Sequence, residues 1–223
     1  WFFEYLNRFV TNWYYTGIEG FSAGEYVLFA SLSFSTVLPA VLGVGDWLAS
    51  VPAFAPGEQP GADRSFLLHP VSVALLLLAA AGLAGIGSWP NLLYPLLWLA
   101  PLFILIALLE LGGTRTLLSE GLAGHGHRIR TAAAAALICG FFWEMWNWHS
   151  LARWVYDVPF VQALHVFEMP RLGYAGYLPF GLACLAIGDL VGAAVEVAVD
   201  RRVPDFHLAE ESRELHQNGH GKG

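Results

Sequence analysis

The stretch Pro70–Ser88, PVSVALLLLAAAGLAGIGS, runs without a single charged side chain. As a helix it is long enough to cross a hydrocarbon core about 30 Å thick, which takes about 20 residues. In lipid every backbone N–H and C=O must be satisfied internally, so such a run commits its neighbours to helices as well. Four more stretches read the same way: Glu25–Ala49, Asn91–Gly112, Thr131–His149 and Gly173–Val199. The chain opens on WFFEYLNRFV, which has no basic start and no small-residue cleavage site. It reads as the end of a helix already under way, with further residues expected upstream of Trp1. The fold class expected is therefore all-α, a polytopic membrane bundle of about six transmembrane helices.

The connections fit that reading. Pro39 lies inside the Glu25–Ala49 stretch and predicts a kink. The segment Ser50–His69 holds Pro52, Pro56, Gly57, Pro60 and Gly61, which is turn chemistry. Ser88–Asn91 (SWPN) is a tight turn, and Thr114–Arg130 is a polar link. Residues Ser150–Arg171 are too polar and proline-marked for a simple span and read as re-entrant or interfacial. The chain divides into a bundle over 1–199, with repeat one at about 1–88 and repeat two at about 91–199, and a polar tail over 200–223.

Composition agrees. Of 223 residues, 56% are hydrophobic and 13% charged, against about 25% charged in soluble domains. The net charge of −7 excludes a nucleic-acid partner, which calls for basic patches. Cys139 and Cys184 lie in apolar helical stretches and read as small core residues. No metal site and no cofactor motif is found. His149 and His165 could face each other across a b-type haem, but they lie in or beside the irregular segment and form no motif.

Orientation follows from arginines in short loops. Arg64, Arg115, Arg128, Arg130, Arg201 and Arg202 fall on one side, and Arg8, Arg153 and Arg171 on the other. The richer side is expected to be the cytoplasm, with the C-terminus there and the chain multi-pass in the inner (plasma) membrane. The opposite face gathers Trp1, Trp13, Tyr14, Tyr15, Trp146, Trp148, Trp154 and Tyr156. An interfacial aromatic belt accounts for much of this.

One pattern goes beyond composition. FFEYLNRFVTNWYY at Phe2–Tyr15 resembles FWEMWNWHSLARWVY at Phe142–Tyr156. Glu4 and Asn7 match Glu144 and Asn147, Trp13 matches Trp154 with a one-residue length difference, and Tyr15 matches Tyr156. Each copy continues to another glutamate, Glu25 or Glu168, and then to an apolar helix with an internal proline, Pro39 or Pro179. A duplicated three-helix unit is the simplest account, and membrane proteins often bind ligands between such repeats.

A carboxylate at membrane depth costs about 2.5–3.5 kcal/mol on insertion scales. Two readings follow for the four glutamates. Glu25 and Glu168 could serve as helix N-terminal carboxylates, with Glu4 and Glu144 bonded to Arg8 and Arg153. Alternatively Glu4, Glu25, Glu144 and Glu168 converge on an apolar pocket as acid–base catalysts. Asn7, Asn147, Trp13, Trp154, Tyr15 and Tyr156 would then line a ligand site. Asp189 is a candidate intramembrane proton site, whereas Glu110 and Glu196 read as solvated helix-end groups.

At this point the chain resembles the small membrane lycopene cyclases of heterodimeric or fused type. Gly17–Phe29 (GIEGFSAGEYVLF), Val158–Tyr174 (VPFVQALHVFEMPRLGY) and Trp143–Asn147 (WEMWN) carry the likeness, in two patches over about half the chain. The resemblance implies a duplicated three-helix fold and a redox-neutral cyclisation of an isoprenoid or carotenoid. In it a carboxylic acid protonates a terminal alkene and a carboxylate removes a proton from the ring cation. It implies Glu25 and Glu168 as the first acid–base candidates, assisted by Glu144 and Glu4, with aromatic faces steadying the cation. The sequence departs from the family motif in having single acids, preceded by Gly24 and Phe167 instead of proline. The partner expected is a membrane lipid or isoprenoid. The alternative is a non-catalytic accessory subunit of a respiratory or photosynthetic electron-transfer complex, holding lipid, quinone or pigment.

Overall fold

The computed structural model describes residues 1–55, 65–195 and 199. It is mostly helical, at 71%. A short helix α1 (Phe2–Val10) leads into strand β1 (Trp13–Thr16). Helices α2 (Ala23–Ser35) and α3 (Val37–Ala49) follow end to end. Pro39 supplies the reason for their junction at Thr36, since it has no N–H to return to Ser35 and its ring crowds that carbonyl. Thr36 Oγ1 donates to the Ser33 carbonyl at 2.7 Å there. Next come α4 (Leu68–Gly85), a single turn α5 (Pro90–Leu93) and α6 (Leu96–Leu111). Helix α7 (Leu117–Leu122) precedes the long α8 (His127–Trp148). Strands β2 (Arg153–Tyr156), β3 (His165–Val166) and β4 (Met169–Pro170) end in a 3-10 turn, Arg171–Gly176, which runs into helix α9 over 177–195.

Among the described residues three helical segments are long and apolar enough to cross a membrane: Ala23–Ala49, Ser65–Gly85 and Arg171–Val195. This corrects the expected six. Helix α1 has only 9 residues, about 14 Å at the helical rise of about 1.5 Å per residue. Helix α6 has 16, about 24 Å. Helix α8 has 22 residues, but Arg128, Arg130 and Glu144 interrupt its apolar character. An entirely α-helical fold is also corrected. Strand β1 pairs antiparallel with β2, and β3 with β4. The segment expected to re-enter or lie on the interface carries β2, β3 and β4, joined by irregular chain.

Residues Trp1–Ala186 form one unit and Ile187–Gly223 a second. Within the first, α3 packs on α8 through Val41, Leu48, Ala135, Ala136 and Cys139, and Cys184 of α9 joins the same cluster. Both cysteines are free and buried there, as small core residues. A second cluster sets Leu6, Val10 and Trp13 against Ile86 and Leu97. A third joins Leu102, Ile106 and Leu117 to Ala183. In the second unit the last helix continues apolar as far as Val195, with Asp189 on it. Arg64, Glu196, Arg201, Arg202 and the tail over 200–223 lie outside the described residues.

Glu110 is not merely solvated. Its Oε1 accepts from the Thr116 N–H at 2.9 Å and from the Ser119 N–H at 3.2 Å, and so ties the end of α6 to the start of α7.

A candidate site beneath a two-stranded aromatic ribbon

The β1–β2 ribbon places Trp13 opposite Tyr156, Tyr14 opposite Val155, Tyr15 opposite Trp154 and Thr16 opposite Arg153. Alternation along a strand puts Trp13 and Tyr15 on one face, and Trp154 and Tyr156 on one face of the partner. At one end of the ribbon Gly17 turns at φ +72°, with the Leu151 carbonyl lying where a Cβ would be. That position admits only glycine without displacement.

Each strand is anchored by an asparagine from the preceding helix. Asn7 Nδ2 donates to the Trp13 carbonyl at 2.7 Å, and its Oδ1 accepts from the Asn12 and Trp13 N–H groups at 2.8 and 3.3 Å. Asn147 Nδ2 donates to the Trp154 carbonyl at 2.8 Å, and its Oδ1 accepts from the Trp154 N–H at 2.9 Å. In both places the amide takes the role of a neighbouring strand for one tryptophan. Asn7 and Asn147 are buried and brace the ribbon.

One helical turn before each asparagine stands a glutamate that collects aromatic donors. Glu4 Oε1 accepts from Trp13 Nε1 at 3.0 Å and from the Tyr15 hydroxyl at 2.7 Å. Glu144, fully buried, accepts at Oε1 from the Tyr156 and Tyr177 hydroxyls, both at 2.7 Å. The two sets differ in one bond, because Trp154 Nε1 and Glu144 Oε2 have no hydrogen-bond partner among the described residues. Tyr177 from α9 supplies the second donor instead. Neither carboxyl is bonded to Arg8 or Arg153.

The Tyr15 and Tyr156 hydroxyls, both on the ribbon, are pushed well above the ordinary tyrosine range. Burial is the largest cause for each. The charge of Glu4 adds to it for Tyr15, and Tyr177 and Glu144 add to it for Tyr156. Both remain neutral donors at physiological pH.

A cavity of about 230 Å³ lies under the ribbon. Glu4, Trp13, Tyr15, Trp154 and Tyr156 face it, together with Trp1, Phe3, Phe34, Trp98, Trp143, Tyr177 and Phe180. Phe3 and Trp98 stack at 5.0 Å, and Trp143 and Phe180 meet edge to face at 6.3 Å. A ligand there would meet aromatic faces on most sides and the Glu4 carboxyl. Sequence reasoning missed Trp98, Trp143, Tyr177 and Phe180, because they come from helices whose aromatic content looked like ordinary packing.

The other two glutamates stand apart. Glu25 is exposed and closes a capping box, its Oε2 accepting from the Ser22 N–H at 2.9 Å while Ser22 Oγ accepts from the Glu25 N–H at 3.3 Å. Glu168 lies 3.8 Å from Arg153 in an ion pair beside the ribbon. The structure therefore brings Glu4 alone of the four into the cavity lining, sets Glu144 behind the lining tyrosines Tyr156 and Tyr177, and leaves Glu25 and Glu168 outside. The His149 ring lies tilted against Trp148, and His165 Nε2 meets Gln162 Oε1 at 3.2 Å. Among the described residues no three His, Cys, Asp or Glu side chains cluster as metal ligands would.

Among the described residues, fold and site together give a mostly helical chain with three helices long and apolar enough to cross a membrane, and with an aromatic, carboxyl-bearing cavity beneath a short ribbon. No protein-family model, no curated protein and no solved structure matches the chain.

Proposed function

We propose that this protein binds one end of an isoprenoid or carotenoid-type polyene in the cavity under the ribbon, and that it is built from a duplicated unit related to that of the small membrane lycopene cyclases. The observation that carries the reading is the double occurrence of one hydrogen-bonded set. Glu4, Asn7, Trp13 and Tyr15 and then Glu144, Asn147, Trp154 and Tyr156 meet across a single ribbon. A cavity between two such copies, walled by aromatic rings, suits an unsaturated apolar chain. At about 230 Å³ it is smaller than the roughly 300–1,000 Å³ of drug-sized pockets, so one end of a polyene fits and the remainder would lie in lipid.

In the catalytic form of this proposal Glu4 replaces Glu25 and Glu168 as the acid. Its carboxyl proton moves to the terminal alkene, and a neighbouring double bond closes the ring. The resulting cation is held by the faces of Trp98, Trp143 and Trp154. The Glu4 carboxylate, steadied by Trp13 Nε1 and the Tyr15 hydroxyl, takes back a proton from the ring carbon beside the cation. The reaction is an isomerisation with no change of mass. The C-terminus would face the cytoplasm from the inner membrane.

The test is to isolate the full chain in mild detergent and add an acyclic polyene. Chromatography should yield a product of equal mass and shifted absorption, and Glu4→Gln should abolish it. A bound polyene that is never converted, and is lost in Glu4→Gln, would leave a binding protein without catalysis.

One observation favours a second reading, an accessory subunit of a membrane electron-transfer complex. Leu151 and Phe160, in the irregular segments around β2, are each 86% exposed, and both lie outside the three candidate spans. Large apolar side chains left exposed there are available to a partner subunit. Co-purification of a stable assembly with redox subunits, indifferent to Glu4→Gln and Glu144→Gln, would select this reading and end the first.

A further inference from the structure

We infer that a second cavity, on the Asn12 side of the ribbon, is a binding site for a small neutral molecule that presents a hydrogen-bond donor and acceptor side by side. Asn12 is 1% exposed, and among the described residues neither Nδ2 nor Oδ1 of its side chain has a hydrogen-bond partner. Buried side-chain amides are almost always satisfied, so an amide with both atoms bare points to a ligand or water that satisfies it.

The amide cannot easily turn elsewhere. The Asn12 N–H donates to Asn7 Oδ1, and the Asn12 carbonyl accepts from the Asp157 N–H, both at 2.8 Å. Its backbone is therefore held by Asn7 of α1 on one side and by Asp157, which follows β2, on the other, and the side chain lines a cavity of about 300 Å³. Trp13, Tyr94, Trp98 and Tyr156 supply aromatic walls, and Met169 and Pro179 add apolar surface. No charged side chain belongs to the lining.

These features select the occupant. A carboxamide faces a group that complements it at two adjacent atoms, either another carboxamide or an un-ionised carboxyl. An ionised ligand would find no counter-charge and would lose its hydration. The aromatic walls favour a flat or unsaturated body behind the polar head. Trp13, Trp98 and Tyr156 also belong to the lining of the first cavity, so an occupant here abuts the donors that hold Glu4 and Glu144. The inference does not depend on what the first cavity holds.

The head group has two sources, a membrane lipid with an amide or acid head and a small soluble amide. The experiment uses the detergent-purified full chain, titrated with benzamide, benzoate and ethylbenzene while tryptophan fluorescence is recorded. Benzamide should bind saturably and at least about tenfold more tightly than either of the others, the factor expected for a paired polar contact. In Asn12→Leu that preference should vanish, with ethylbenzene binding as well as benzamide. Should Asn12→Leu fail to fold, Val161→Trp serves, since it takes up cavity volume and leaves the amide in place. It should abolish benzamide binding. Mass spectrometry of the solvent extract separates the sources. An amide or acid lipid retained by the wild type and lost in either variant identifies the membrane, and benzamide binding without such a lipid identifies a soluble ligand. Equal affinity for benzamide and ethylbenzene, or binding of neither, leaves water alone on the amide and overturns the proposal.

Discussion

The ring of Tyr177 occupies the space that a side chain at Gly140 would take. A Cβ at that position would fall 2.5 Å from ring carbons of Tyr177. The glycine sits on α8 about one turn before Glu144, and its bare surface lets the Tyr177 hydroxyl come to 2.7 Å from Glu144 Oε1. Overpacking of this kind costs about 1–3 kcal/mol. Gly140→Ala should therefore lower the thermal midpoint in detergent. In a Tyr177→Ala background the same change should be neutral or stabilising, because alanine is the better helix former by about 0.5–1 kcal/mol. Additive effects in that double-mutant cycle would show that the ring is seated elsewhere.

Asn7→Ala and Asn147→Ala should destabilise the protein to a similar degree. Each removes a brace that satisfies both the N–H and the carbonyl of one tryptophan. Orphaned buried groups cost about 1–3 kcal/mol each, so a loss of about 2–6 kcal/mol is expected at either site. Chemical unfolding of the two variants side by side measures it. A large loss at one and none at the other would refute the equivalence of the two anchors.

The ribbon tyrosines set an alkaline limit. Tyr15 and Tyr156 are raised above their ordinary value of about 10, chiefly by burial. A group whose folded value lies above its unfolded value contributes stability that is fully present below the unfolded value. That contribution is lost as pH rises through the interval up to the folded value. Stability should be flat with respect to these two groups below about pH 10 and should fall above it. Absorbance at tyrosinate wavelengths, followed with the unfolding midpoint, tests the point. Tyr15→Phe and Tyr156→Phe should each shallow the alkaline slope, and an unchanged slope in both would contradict the assignment.

Apolar run lengths made the helices legible, but not how many could cross. The count went from six to three because α1 and α6 are too short and α8 carries arginines and a buried glutamate, features that stretch-by-stretch reading of hydropathy passes over. The paired Glu–Asn–Trp–Tyr motif was legible because its residues do specific jobs, and all of these recur except the bond from the tryptophan indole to the glutamate. Its strands were not anticipated, although the spacing of Trp13 and Tyr15, and of Trp154 and Tyr156, has the period of two that marks a strand. Placing those residues on an interface concealed it. Glu25 stands in a capping box and Glu168 in an ion pair, uses of glutamate that sequence alone does not tell apart from an acid–base role. Asn12 carried no signal at all, since nothing local distinguishes a bare buried amide from a turn residue.

The register of the ribbon contains a test of the proposed duplication. In the motif alignment Trp13 corresponds to Trp154 and Tyr15 to Tyr156, which makes Tyr14 the counterpart of Val155. The observed pairs are Trp13 with Tyr156 and Tyr15 with Trp154, while Tyr14 faces its own counterpart Val155. That is the pattern of a two-fold interface, in which residue i meets j and j meets i, with the axis through the Tyr14–Val155 pair. Side chains directly opposite in an antiparallel pair have Cβ atoms about 4.5–5.5 Å apart, close enough for a disulfide after slight adjustment. Tyr14→Cys with Val155→Cys should therefore cross-link under mild oxidation, seen as a mobility shift reversed by reductant. Tyr14→Cys with Trp154→Cys should not, because a one-residue slip sends the two side chains to opposite faces. The buried Cys139 and Cys184 give the background, measured in the parent chain. Cross-linking of the slipped pair, with none of the aligned pair, would move the axis off Tyr14 and remove the symmetry on which the duplication rests.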